Sequence, residues 1–426
     1  MNERISALRG FLDASHSVYH ALDYLAKVLS QAGYTRLWEQ DSWDLVPGGK
    51  YYLTRGGSAV VAFRVPEGAP KGFLMSASHC DRPGFKVKEN FELTAAYTRL
   101  AVERYGGMLM APWLDRPLSI AGRVTVETET GVETKLLDID RDLLLIPNVA
   151  IHMNRQANDG YKWNPAVDLL PLLGTKAAAG KLQSALEEAA GGKILGQDLY
   201  LYVREKSSVW GVEEEFLSSA GLDDLECAWG CTQGFLTAAP SESIPVLCVF
   251  DSEEVGSCSV QGAASTLLTD TLGRICTGLN LDMGRMLAQS FMVSADNAHA
   301  VHPNHPEYAD SANAPVLGGG MVLKFNANLS YCTDAVSAAI FRKVCAKAGV
   351  KVQTYCNRAD LPGGSTLGRI SLAQVSVPTA DIGLAQLAMH SCYETAAVSD
   401  ALDLEAAMAS YYGTTLEATS EGYILR

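Results

Sequence analysis

The chain has 426 residues, 48% of them hydrophobic and 19% charged, with a formal net charge of −14. That length carries two domains of ordinary size, and the composition suits a folded enzyme with a large core rather than a disordered chain. The acidic surplus argues against nucleic acid as a partner, since phosphate binding needs clustered Lys and Arg, while a locally basic pocket could still take an acidic substrate. No apolar run reaches the length of a membrane span, and no secretory apolar region follows Asn2, Glu3 and Arg4, so neither membrane insertion nor export is expected. Ten cysteines are scattered without the density of a disulfide scaffold, and Cys248, Cys276 and Cys345 sit in apolar runs where a reduced thiol is expected. The compartment this implies is the cytoplasm. Cys227 and Cys231 lie one helical turn apart, but no second cysteine pair completes a zinc site.

In chain order, Leu22, Leu25, Ala26 and Leu29 share one helical face, and Gly33 follows as a stop signal. Strands are expected at Ser58 to Val65 and Gly72 to Ala77, the second nearly continuous in apolar and small residues, as in a strand covered on both faces. Near residue 90 the texture changes. Val124, Val126 and Thr128 alternate with Thr125, Glu127 and Glu129, and Thr130-Gly131 predicts a hairpin turn before Val132 to Ile139. Leu143 to Ile146 and Leu199 to Val203 read as further strands, and the Ala-rich stretch 176–190 as a surface helix. After residue 215 the α/β alternation resumes, with strands expected at Pro245 to Phe250, Phe291 to Ala295 and Gln374 to Val377. The expected organisation is therefore an α/β domain in two parts, 1–89 and 216–426, interrupted by a mainly β insertion, 90–215.

Three motifs lie just beyond buried strands: SASHCDRPG (76–84), VFDSEEVGS (249–257) and SADNAHAVHPN (294–304). Open α/β sheets place their sites outside the carboxyl ends of strands, so the three can meet in one crevice. His79 and Asp81 form a pair in which an imidazole binds metal while a carboxylate orients the ring; a loop histidine beside a turn aspartate is the plainer alternative. Glu253 and Glu254 are adjacent, so they point apart, one toward metal and one toward a water whose proton it removes. The competing reading is a solvated acidic turn, as at Glu213 to Glu215. Asp296 directly follows an apolar strand and is expected as a ligand. His299, His302 and His305 recur every three residues, but Pro303 argues against a helix there, so they are read as neighbours of the site rather than as ligands. His390, in LAMHSCYE, is by itself an ordinary core histidine, and gains weight because the site still needs a nitrogen ligand.

The segments SASHCDRPGFKVK, AGLDDLECA, VFDSEEVGS, MVSADNAHAVHPN, LKFNAN and GLAQLAMHS, in this order, resemble the M18 family of aminopeptidases over nearly the whole chain. FLDASHSVYHA resembles that family's opening, with His16 in place of its usual proline. The resemblance implies a three-layer α/β/α metallopeptidase domain whose β-rich insertion builds a dimer, and dimers that assemble into a dodecamer. It also implies two divalent ions, typically zinc, with manganese or cobalt as alternatives. His79 and Asp296 would hold one ion, Glu254 and His390 the other, and Asp223 would bridge them. The sequence by itself does not choose between Asp223 and Asp224; the family's Leu-Asp-Asn pattern selects the first. Among catalytic residues, Asp81 would orient His79, and Glu253 would act as general base and acid. His152 matches a histidine that reaches a neighbouring subunit's site, and Lys324 and Tyr331 match positions that bind an acidic first side chain. The family's Asn-Gln-Arg-Tyr here reads Asn328-Leu329-Ser330-Tyr331, without the Arg. The implied function is hydrolysis of the N-terminal residue of peptides, with preference for Asp or Glu. Release of neutral residues, or a non-catalytic self-assembling protein on a peptidase scaffold, are the alternatives.

Overall fold

The structure, a computed structural model, describes residues 2–361 and 363–426. The expected first helix spans Val18–Gln31, with Ser17 capping its N-terminus and Leu22, Leu25 and Leu29 buried. It stops before Gly33, whose φ of 81° suits a residue without Cβ. Each of these leucines contributes roughly 1.5–3 kcal/mol by leaving water. An earlier helix, Glu3–Ala14, lays Phe11 flat on Trp229 at 5.2 Å between ring centres.

The central sheet has nine strands, in spatial order Thr35–Arg36, Lys50–Arg55, Ala59–Arg64, Ile244–Phe250, Phe73–His79, Phe291–Ala295, Thr379–Gly383, Met321–Phe325 and Val352–Cys356. The four in the middle, from Ile244–Phe250 to Thr379–Gly383, are mutually parallel. Successive side chains go to opposite faces. Leu74, Leu247, Val249, Phe291 and Val293 therefore enter one core, and Phe73, Met75, Val246, Cys248 and Met292 the other. Both faces are covered, which is why the strand Phe73–His79 is buried along its whole length.

Helices complete the three layers. Leu222–Thr237, Ala335–Ala348 and Val398–Tyr412 join the two N-terminal helices on one face. Leu267–Gly278, Met283–Ala288 and Leu367–Gln374 cover the other. Gly230 and Gly234 let the helix Leu222–Thr237 sit hard against Val398–Tyr412. A Cβ on Gly234 would lie 2.4 Å from Met408 Cβ and 2.8 Å from the Ala409 amide nitrogen.

A second sheet of six antiparallel strands has the order Gly131–Asp138, Leu118–Thr128, Ile194–Val203, Gly84–Thr94, Tyr97–Tyr105 and Leu172–Thr175. The expected hairpin forms, but its turn is Glu129-Thr130, one residue earlier than expected, with Gly131 already paired to Thr128. This sheet has its own core, to which the helix Lys181–Ala190 adds Leu182, Leu186 and Ala190. A third sheet of five strands links Ser208–Trp210 and Phe216–Ser219 to Glu394–Ala397, Ala385–Leu387 and Ala298–His299. Position 90 falls inside a strand of the second sheet, and position 215 lies between two paired strands of the third.

Two expected strands are otherwise. Gln374 ends the helix Leu367–Gln374, and the strand begins only at Thr379, so the apolar run to Val377 packs a helix end and turn into the core instead. Leu143 to Ile146 make only isolated bridges, to Leu114, Leu118 and Leu172. Among the described residues, no helix is long and apolar enough to cross a membrane.

Candidate active site

Three of the expected motifs emerge side by side. His79 ends its strand directly opposite Phe250 of the next, and Ser294 stands opposite Ala77 on the other side. His79, the Glu253–Glu254 turn and Asp296 therefore leave three adjacent parallel strands at one edge of the sheet. Asp223 comes from the first turn of the helix Leu222–Thr237, which is not helical there: its φ and ψ are −81° and 106°, and the Asp223–Asp224 peptide is cis. His390 follows the strand Ala385–Leu387 with a φ of 66°.

These five side chains converge. Asp223 Oδ1 lies 3.8 Å from His79 Nε2, and its Oδ2 lies 3.3 Å from His390 Nε2. His390 Nε2 is also 3.4 Å from Glu254 Oε2. Donor atoms of His79, Asp223 and Glu254 fall within 4.8 Å of one another, as do those of Asp223, Asp224 and Asp296. Asp223 Oδ1, Asp224 Oδ1 and Glu254 Oε1 are buried without a hydrogen-bond partner. An unpartnered buried carboxylate oxygen is costly, and so many acids share a small volume only if positive charge accompanies them.

The titration behaviour agrees. Burial, reinforced by neighbouring carboxylates, pushes Glu254 well above the ordinary range, Glu253 to about 8 and Asp296 to about 6, in the last case against the opposing Lys324. Burial opposes charge on His79 and His390, yet the carboxylates of Asp81 and Asp223 hold both imidazoles above their usual value. Imidazole nitrogens with largely buried carboxylate oxygens form a donor set suited to a borderline divalent ion such as zinc.

Hydrogen bonds around this centre orient both imidazoles and the glutamate turn. His79 Nδ1 lies 3.1 Å from the Asp81 carbonyl and 3.3 Å from Asp81 Oδ1, so Nε2 faces the cluster. The Asp81 carboxylate accepts the amide hydrogens of Glu253 at 3.0 Å and Glu254 at 3.1 Å, which fixes the turn carrying both glutamates. His390 Nδ1 hydrogen-bonds to the Gly107 carbonyl at 2.6 Å.

Other expected residues are less central. Lys324 is buried, and its ammonium donates to the carbonyls of Asp296 at 2.8 Å and Asn297 at 3.1 Å, with Asp296 Oδ1 at 3.9 Å. Tyr331 lies beneath it, its ring centre 5.1 Å from Lys324 Nζ. His152 is exposed in the irregular stretch between Asp138 and Leu172 and is not among the grouped donors. His299 closes a short strand, while His302 and His305 bridge each other in an exposed turn rather than a helix. With Gly363 and Gly364 they line a cavity of about 230 Å³. Cys227 and Cys231 are both buried with pKa values raised by burial, and Cys227 donates to Asn297 Oδ1, so they remain core thiols.

Further residues hold these groups in place, and two of them, Glu394 and Tyr105, carry no motif signal. Buried Glu394 accepts from the amides of Asp223 at 3.1 Å and His390 at 2.7 Å. Asp224 accepts the His79 amide at 3.1 Å. Tyr105 donates to Asp81 Oδ2 at 2.8 Å.

Comparison with known proteins agrees with this centre. The family described as "Aminopeptidase I zinc metalloprotease (M18)" matches residues 11–412. A Clostridium novyi protein named probable M18 family aminopeptidase 2 is 42% identical over 414 residues, spanning 92% of this chain and 94% of its own. The structure of the Ape4 and Nbr1 complex contains a chain that superposes with a TM-score of 0.93 at 33% identity, over 96% of this chain and 85% of that one. The mApe1 dodecamer of S. cerevisiae gives 0.84 at 25% identity, over 96% and 95%. A match that runs almost from end to end, onto a fold that gathers its carboxylates and imidazoles in one cluster, means that this chain belongs to the M18 family and is a metallo-aminopeptidase, a hydrolase of N-terminal peptide bonds.

Proposed function

We propose that the enzyme works with two divalent ions, zinc in the first instance, held by His79 and Asp296 on one side and by Glu254 and His390 on the other, with Asp223 between. The observation that carries this reading is the placement of Asp223, whose two oxygens face His79 and His390 separately. When bound, such a pair supplies Lewis acidity to the scissile carbonyl and lowers the pKa of the attacking water. The chain's own residues do the rest. Glu253 leaves the same turn as Glu254 but is not among the clustered donors, so its carboxylate is free to take the water's proton and pass it to the leaving amine. Asp81 keeps His79 turned inward and the glutamate turn in place.

For the first side chain we propose a preference for Asp or Glu, supported by the cation on Lys324. Two of its three N–H groups already serve the Asp296 and Asn297 carbonyls, so it would act mainly through its field. That same engagement favours the second reading, release of neutral residues, as does Ser330 where the family pattern has Arg. The S. cerevisiae mApe1 dodecamer supports a homododecamer here. In that assembly the division 1–89, 90–215 and 216–426 would assign dimer contacts to the β-rich part. His152, flanked by exposed Ile151 and Met153, would reach a neighbour. Ten free cysteines suit work in the reducing cytoplasm.

Chelator-treated enzyme should lose hydrolysis of N-terminal amino-acid anilides and regain it with zinc. Activity that survives complete metal removal would refute the metal mechanism. Asp-, Glu- and Leu-anilides assayed side by side decide the preference: faster Leu release selects the second reading.

A further inference from the structure

The six-stranded sheet contributes no proposed ligand, yet it touches the site at three points within five residues. Its strand Tyr97–Tyr105 ends against the Asp81 side chain, where the Tyr105 hydroxyl donates to Oδ2 at 2.8 Å. Burial and the Asp81 charge raise the Tyr105 pKa far above its usual value, so the phenol stays a donor. The Asp81 carboxylate has three other contacts, with the Glu253 amide, the Glu254 amide and His79 Nδ1, and all three belong to the motifs of the central sheet. Tyr105 alone comes from the second sheet.

Two residues later, the Gly107 carbonyl accepts from His390 Nδ1 at 2.6 Å. That bond places a hydrogen on Nδ1 and turns Nε2 toward Asp223 and Glu254. The Leu109 amide donates to the His390 carbonyl at 2.9 Å, so backbone and ring of the same residue are held by one segment. Between them, Gly106 has a φ of +70°, and a Cβ there would sit 3.1 Å from Glu254 Cβ. The chain passes so close to Glu254 that a side chain here would press on it, and the positive φ strains any residue with a Cβ.

We propose that Tyr105 is a positioning residue for metal binding, acting through Asp81, and that the segment from Tyr105 to Leu109 makes the metal site a joint product of both sheets. The inference rests on the reading that His79, Glu254 and His390 bind divalent ions. Outer partners of metal ligands commonly set affinity by 10- to 100-fold (order of magnitude) because they fix ring orientation and basicity. Tyr105 would do so for His79 by completing the contacts of the carboxylate that orients it. The contacts to His390 and Glu254 extend the same control to the opposite side of the cluster.

The test uses the full-length protein. Wild type, Tyr105→Phe, Gly106→Ala and the control Tyr200→Phe are stripped with chelator and titrated with zinc by calorimetry. Tyr200 packs edge-on against Tyr105 at 5.6 Å between ring centres, so its variant perturbs the same packing without removing the donor to Asp81. Tyr105→Phe keeps the ring and should weaken zinc binding by about 10-fold or more, with an unfolding temperature matching the control. At saturating zinc its kcat should fall with KM unchanged. Gly106→Ala, which presses on Glu254, should weaken zinc binding independently. Wild-type affinity in both variants would overturn the proposal. A wild-type protein that takes up no zinc would instead overturn the metal assignment beneath it.

Discussion

Replacing Glu253 by Gln should make the metal-free protein more stable and remove turnover from the metal-loaded one. Burial, ahead of the repulsion from Asp296, Asp223 and Asp81 and against the pull of His79, lifts this carboxyl from 4.5 to about 8. An acid whose pKa rises on folding holds its proton more tightly in the folded state. The folded state therefore loses stability as pH climbs above the unfolded value, and stops losing it once pH passes the folded one. At pH 7 that interval is about 2.5 pH units, or about 3 kcal/mol at ~1.4 kcal/mol per unit. At pH 5 it is under ~1 kcal/mol. Glutamine has the same shape and no charge at either pH, so its advantage should open between these two values. Urea unfolding of chelator-treated protein at pH 5 and pH 7 measures it directly. With zinc restored, the same variant should hydrolyse an anilide substrate about 10²- to 10⁴-fold more slowly, the usual contribution of a general base. Metal content should stay at the wild-type level. A variant no more stable at pH 7 than at pH 5, relative to wild type, would refute the burial argument; one that kept a tenth of the activity would refute the assignment as base.

Lys324→Met keeps the volume but leaves two buried carbonyls without a donor and Asp296 without its cation, so unfolding should show a loss of about 3–5 kcal/mol. If its field also selects substrate, kcat/KM for Asp-anilide should fall further than for Leu-anilide, and equal losses would count against that role. Gly234→Ala should destabilise by about 1–3 kcal/mol by overpacking, read as a lowered urea midpoint, because its methyl would meet the backbone of the helix Val398–Tyr412. Asp198 is half-buried, yet hydrogen bonds from Lys86 and Arg123, both at 2.9 Å, hold its pKa below the ordinary value. Asp198→Asn should thus cost about 1.5–3 kcal/mol near neutrality. The cost should shrink as pH falls below the unfolded value of about 4, where the wild-type carboxylate too takes up its proton.

What could be read from the residues followed short-range physics. Buried strands announce themselves by continuous apolar runs, and an acidic or His-containing motif just past such a run has only one place to go when the strands are parallel neighbours. That was enough for His79, Glu253, Glu254 and Asp296. Asp223 is different, because LDD opens a helix and nothing in its spacing says which aspartate serves the site; both turn inward, and only the fold shows that the two oxygens of Asp223 face His79 and His390. Glu394, Tyr105 and the Gly107 carbonyl meet the cluster across 171, 24 and 283 residues of chain, so no local pattern could announce them. The apolar stretch at Gln374 to Val377 misled for a related reason: a helix end packed into a core and a buried strand share the same composition.

The pairing of His79 with Phe250 has a consequence for how such an enzyme can change over time. Adding or deleting one residue within the strand Phe73–His79 would swing the imidazole to the opposite side of the sheet, since direction reverses at every step. The ladder thus acts as a ruler, and lineages of this architecture are free to lengthen their connecting segments, exchange surfaces and vary their assemblies, but must leave the count of residues in these strands alone.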